Sequence, residues 1–224
     1  MSADALGRGF LTGRTSYPVE RYFDRLLGKL GLGEGRGRRV LDAGCGDGLV
    51  SAWLAAHGWS VQAEDVQAHP AWPGLAAAAK GGLDFTERDA ATPGPGAFDL
   101  VLTKDMLHHA ADPVAALKAL RGRLAPEGTL LVLECNRRNP IFYLHLTLME
   151  GHQHFTRRRL LGLFESAGLE PVTLDRVEAR VWPLAGPGLQ DALDRVQDFA
   201  ESLGIWRPFV CYHAVSWRRP AGAA

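Results

Sequence analysis

The sequence predicts an α/β fold, a mostly parallel sheet covered by helices on both faces. Two observations lead there. Short apolar strand patterns alternate with amphipathic helical patterns from residue 39 to residue 135, the rhythm of parallel strands joined by crossover helices. One such strand, ending at Asp42, runs directly into a glycine turn and then a helix.

The elements follow in order. Residues 1–16 are Gly-rich and polar and read as a loose arm. Val19, Tyr22, Phe23, Leu26, Leu27 and Leu30 recur at helical spacing, so 18–31 reads as a helix entered through Pro18. Strand 39–42 precedes a helix over 49–57 closed by Gly58. Strand 60–64, an Ala-rich helix over 71–80 and strand 83–85 come next. After the Pro/Gly loop 92–96 lie strand 98–102, a helix over 113–124 stopped at Pro126-Glu127-Gly128, and strand 129–134. The Arg-, aromatic- and His-rich stretch 136–156 breaks the rhythm and reads as a lid-like insertion. A helix over 156–167, strand character at 170–181 and 209–217, and a helix over 188–202 complete one domain, residues 1–224.

Composition narrows the function classes. Lys+Arg and Asp+Glu number 25 each. A neutral chain lacks the footprint of a dedicated nucleic-acid binder, so no nucleic-acid partner is expected. No apolar run approaches the roughly 18–20 residues that span a bilayer, so no membrane partner is expected either. The three cysteines are scattered without C-x-x-C spacing, which suits a reducing compartment, and the expectation is cytoplasmic.

The chemistry is concentrated in Asp42-Ala43-Gly44-Cys45-Gly46-Asp47-Gly48. Glycines let the backbone turn sharply and let a ligand approach the peptide plane. The helix N-terminus beyond offers N–H groups to a carboxylate or ribose oxygens. A dinucleotide fingerprint would be G-x-G-x-x-G; here the third glycine comes one residue early and Leu49 takes its place. Asp65 follows the next strand, twenty-one residues beyond Gly44, where a carboxylate can accept bonds from two ribose hydroxyls. Glu64 is the alternative, but strand alternation aims only one of the pair at a ligand.

Val40 to Gly48 closely resembles the first motif of class I S-adenosylmethionine-dependent methyltransferases, E/D-x-G-x-G-x-G. The resemblance continues through Asp65-Val66, Arg88-Asp89-Ala90, Phe98 to Leu102 and Leu124 to Leu130, where Glu127 stands in place of the usual glycine. It implies a Rossmann-like, seven-stranded sheet with the last strand antiparallel. It also implies S-adenosylmethionine as methyl donor, S-adenosylhomocysteine as product, and a small organic acceptor of the kind used in quinone and natural-product biosynthesis. On this basis the cofactor-binding residues are Asp42, Ala43, Gly44, Cys45, Gly46, Gly48, Asp65, Val66, Asp89, Ala90, Lys104 and His109. Tyr17 and Arg14 join them if the first helix folds across the cofactor.

Methyl transfer from a sulfonium needs alignment above all, and a general base only for an acceptor that carries a proton. His109, His152 and His154 are the candidate bases, His109 after the fourth strand and the others in the insertion. The histidines His145, His152 and His154 do not share one helical face, and no paired acid or cysteine completes a ligand set, so no metal is expected. Two further readings stay open: a protein of this fold that binds the cofactor without methylating, and a protein or RNA methyltransferase. The chain is expected to be a monomer or homodimer.

Overall fold

The structure is a computed structural model and describes residues 17–94, 97–140, 143–144, 148, 154–170, 173–177, 187–204 and 210–221. Helix α1 (Tyr17–Gly28) is followed by β1 (Arg39–Ala43), α2 (Leu49–Ala56), β2 (Ser60–Asp65), α3 (Trp72–Ala78) and β3 (Leu83–Glu87). Then come β4 (Phe98–Lys104), α4 (Pro113–Gly122), β5 (Leu124–Cys135), α5 (Arg157–Ser166), β6 (Thr173–Val177), α6 (Pro187–Ser202) and β7 (Tyr212–Arg218).

The strands form one seven-stranded sheet in the order β3-β2-β1-β4-β5-β7-β6. Strands β1 to β5 pair in parallel, and β7 runs antiparallel to both β5 and β6. The chain winds outward from β1 to β3, then returns to place β4 on the other side of β1. That reversal leaves a crevice beyond the C-terminal ends of β1 and β4, where open α/β sheets take ligands.

Central strands are apolar on both sides because both faces are covered. Val40 points to a core shared with Leu26, Leu27, Trp53 and Leu75 from α1, α2 and α3. Its neighbour Leu41 points to the opposite core, with Leu117, Leu120, Leu160 and Phe164 from α4 and α5. Asp112 caps α4 by accepting the Val114 and Ala115 N–H groups at 3.0 and 2.9 Å, and Thr156 caps α5. The described helices include none long and apolar enough to cross a membrane.

The turn before β5 corrects the sequence reading. The helix ends at Gly122, and the strand begins at Leu124, running through Pro126-Glu127-Gly128 rather than after it. Phe98 pairs with Leu124 and Leu100 with Thr129, so residues 125–128 form a bulge. The Arg123 carbonyl holds its base by accepting from Ala97 N and Phe98 N, and Glu127 takes the left-handed φ of 62° where the resemblance expects glycine.

Helix α1 is fixed by two forces. Phe23, Leu26 and Leu27 are buried against the sheet. Its basic residues meet an acidic row on α6: Arg21 with Asp191 and Asp194, Arg25 with Asp194 and Asp198, and Lys29 with Asp198 and Glu201.

A buried ion pair ties the sheet to the end of α4. Arg123 Nη1 and Nη2 donate to the two Glu64 carboxylate oxygens, each at 3.0 Å, and the side chains are only 2 % and 1 % exposed. Removing Arg123 leaves the buried Glu64 carboxylate with the Gln62 amide at 2.6 Å and the more distant Arg88 at 3.6 Å, an undercompensated charge out of water. Arg123→Met is expected to cost about 3–5 kcal/mol in urea unfolding, and the double variant Glu64→Gln/Arg123→Met to recover most of that loss.

Candidate functional site

The glycine turn after β1 carries left-handed φ angles of 75°, 53° and 83° at Gly44, Gly46 and Gly48. Space demands glycine at two of them. A Cβ on Gly44 would meet Met106 Cγ at 2.2 Å, and one on Gly48 would meet the Phe85 ring at 2.8 Å. At Gly46 nothing lies within 4 Å of that position.

Three groups clamp the turn from outside. The Glu64 carbonyl accepts N–H bonds from Gly44 at 2.7 Å and Cys45 at 3.0 Å. Asp65 Oδ2 accepts from Gly46 N at 2.8 Å. Trp72 Nε1 donates to the Gly46 carbonyl at 2.9 Å, its ring stacked on Phe85 with centroids 4.9 Å apart. The alternation between Glu64 and Asp65 is therefore resolved: Glu64 turns to Arg123, and Asp65 turns to the glycine turn.

A cavity of about 820 Å³ opens beside this turn. Of the residues singled out in the sequence, Asp42, Gly44, Cys45, Gly46, Asp65, Val66, Asp89, Ala90, Lys104 and His109 line it. Ala43 is fully buried at the root of the turn, and Gly48 starts α2. His154 is buried against His108, ring centroids 4.3 Å apart. Tyr17 opens α1, with its side chain outside the described residues, as are Arg14, His145, His152 and most of the expected lid.

The lining carries carboxylates from Asp42, Asp47, Asp65 and Asp89, together with Lys104, Asp105, His109 and Ala110 to Asp112. Met106 also lines it, packed directly against Gly44 of the glycine turn. Phe23 of α1 covers part of the cavity.

The charges at the end of β4 are tightly paired. Lys104 Nζ donates to Asp105 Oδ2 at 2.5 Å. Cys135 N donates to Asp105 Oδ1 at 3.0 Å, and Tyr212 OH reaches Asp105 Oδ2 at 3.3 Å. Tyr22 of α1 completes the group, its hydroxyl 2.7 Å from that of Tyr212. Burial works against both charges. Tyr22 and Asp105 nonetheless raise the Lys104 ammonium above its usual range. Lys104 and the bond from Cys135 hold the Asp105 carboxyl below its own.

Asp42 is different. It is buried, and Ser51 Oγ donates to its Oδ2 at 2.5 Å. Burial raises its carboxyl to about 6, against the opposing pull of the Ser51 bond and Lys104.

Behind His109 lies a second polar group. Glu134, fully buried at the end of β5, accepts Leu107 N at 2.8 Å on one oxygen and contacts His108 Nδ1 at 2.8 Å with the other. Burial, then repulsion from Asp105, raises the Glu134 carboxyl well above the usual range. The rings of His108 and His109 are 4.0 Å apart.

The sequence reading missed Phe23 and Asp105 as lining residues and Trp72 as a clamp. Phe23 was visible only as part of an apolar helix face. The bond from Trp72 to Gly46 joins positions on separate elements.

A methyltransferase domain family model matches residues 13–174. The chain belongs to the methyltransferase domain family. Relatives of this methyltransferase-family chain include a ubiquinone biosynthesis O-methyltransferase from Caulobacter sp. (strain K31). It is 38 % identical over 106 residues, which are 45 % of this chain and 42 % of that protein. The chain spans about half the length of the curated relatives it matches. Among solved structures, a Burkholderia thailandensis 1,6-didemethyltoxoflavin-N1-methyltransferase, solved with its acceptor and S-adenosylhomocysteine, aligns with a TM-score of 0.59 at 21 % identity, covering 95 % of this chain and 84 % of that one. A [4+2]-cyclase aligns with a TM-score of 0.61 at 21 % identity, covering 91 % and 80 %. These likenesses establish the shared fold.

The raised Asp42 carboxyl carries a sign that can be tested. Folding favours its protonated form, so its contribution to stability is full below the unfolded value of 3.8 and is lost as pH rises through about 6. Between pH 4 and pH 7 the wild type should lose about 2 kcal/mol relative to Asp42→Asn, read from urea midpoints of the ligand-free protein at each pH.

Proposed function

We propose that this chain transfers a methyl group from S-adenosylmethionine to a small organic acceptor. The observation that carries the reading is the cavity at the switch point, lined by the glycine turn, Asp65 and Asp89 and also by Lys104, Asp105 and His109. The residues present fit the donor. Gly46 leaves open space for a ligand, and Asp65 and Asp89 offer carboxylates suited to ribose hydroxyls and an adenine amine. Asp42 supplies a buried negative charge for the cationic methionine end.

When bound, S-adenosylmethionine supplies an activated methyl on a sulfonium. The protein's part is to align and to exclude water. Met106 and Phe23 provide apolar lining. His109 is placed to accept the proton released when a hydroxyl acceptor is methylated. The relatives' designation as O-methyltransferases supports an oxygen acceptor. His154, packed on His108, serves as a support rather than a base in this reading. Three buried thiols and a neutral charge fit a cytoplasmic enzyme without a nucleic-acid partner.

Calorimetry should show S-adenosylmethionine binding, with Asp65→Ala weakening it at least tenfold. Tight binding of NAD in its place overturns the donor assignment.

Transfer of labelled methyl to a panel of phenolic and catecholic metabolites, followed by mass spectrometry, should give a labelled product. His109→Ala should lower kcat by about 10²–10⁴ for a hydroxyl acceptor. Binding of the donor with no labelled product from any acceptor class would favour a non-methylating protein of this fold.

A further inference from the structure

The cluster behind His109 has a composition that the methyl-transfer chemistry does not use. His108 comes from the turn after β4, Glu134 from the end of β5, and His154 from just before α5. One ligand-type atom from each lies within 4.8 Å of the others. The side chains of His108 and Glu134 are 2 % and 0 % exposed, and His154 is equally buried.

We propose that His108, Glu134 and His154 bind a divalent transition-metal ion of the zinc class. Two imidazoles and a carboxylate are a set that zinc, cobalt(II) and iron(II) accept readily. Magnesium and calcium prefer all-oxygen surroundings, so the two imidazoles select against them. At metal–ligand distances near 2.0–2.1 Å, ligands on a tetrahedral ion stand roughly 3.3 Å apart. The 2.8 Å contact between His108 and Glu134 opens slightly to reach this, and His154 closes toward it by side-chain rotation.

A fully buried carboxylate needs a paired charge or a metal. Glu134 lies in the field of the Asp105 carboxylate and, more weakly, of the Lys104 ammonium. The ligands are held by their own backbones. Leu107 N donates to Glu134 Oε1 at 2.8 Å, fixing the turn that carries His108. Phe155, next to His154, is buried, and its carbonyl accepts Arg137 N at 3.3 Å. On binding, the ion replaces the proton shared by His108 and Glu134, and that proton goes to solvent.

Such an ion would join three separate segments directly behind the cavity wall that presents His109. Its role is positional: it fixes the turn from Asp105 to His109.

The test uses the full-length chain, stripped with a chelator and titrated with zinc or cobalt(II). Elemental analysis should find one ion per chain after zinc addition and desalting. Cobalt(II) should give the visible bands of a low-symmetry site with nitrogen ligands, and zinc should raise Tm. Glu134→Gln and His154→Gln should each weaken cobalt(II) binding at least tenfold and abolish the Tm rise. His69→Ala and His213→Gln, which alter histidines outside the set, should keep the spectrum and the one-to-one stoichiometry.

Magnetic and circular dichroism on the variants distinguish a lost ligand from a lost fold. Wild-type protein that binds neither ion above background and shows no Tm shift overturns the proposal. So does cobalt(II) binding that survives both Glu134→Gln and His154→Gln.

Discussion

Glu64 is the residue on which the site depends. Its carbonyl takes the N–H groups of Gly44 and Cys45 and so sets the direction of the glycine turn. Its carboxylate is held in a two-point bond by Arg123 at the far end of α4. Because successive side chains of a strand point to opposite faces, locking Glu64 toward Arg123 forces Asp65 toward the turn, where it accepts from Gly46. One buried ion pair thereby fixes the rotation of the strand end that supplies the cavity's central carboxylate. Arg123 also lies over the Phe98 ring at 5.4 Å, which brings the start of β4 into the same arrangement.

The charge of the cavity lining follows from the same strand ends. Lys104 and Asp105 neutralise one another within a frame of two tyrosines, and Asp42, Asp47, Asp65 and Asp89 outnumber Arg88 in the same lining. A ligand with a positive centre suits such a lining.

Much of this was legible in the sequence where the signal is local. The strand-turn-helix at Val40 to Leu49, the positions of Asp65 and Asp89, and the strand–helix rhythm all lie within short windows. Their spacing encodes the sheet order through the rule that parallel strands need crossovers. What was not legible joins distant positions. Arg123 and Glu64 are 59 residues apart, and the His108–Glu134 contact spans 26. No periodicity records such pairs. His108 and Glu134 come together from the turn after β4 and the end of β5, a strand that reads in sequence as ordinary core. The strand onset at Leu124 was obscured by Pro126-Glu127-Gly128, a run that signals a turn equally well when it is a bulge.

The ladder of charges between α1 and α6 has a consequence for how the molecule is made. Arg21 and its acidic partners are separated by as many as 173 positions in the chain. At roughly 5–20 residues per second, α6 leaves the ribosome about 10–35 s after α1. Through that interval the first helix has no counterpart for its basic face, and Tyr22 waits for the hydroxyl of Tyr212. Biosynthesis therefore leaves the basic face of the first helix exposed until the acidic helix is made, while its apolar face already has the core of β1, α2 and α3 to pack on.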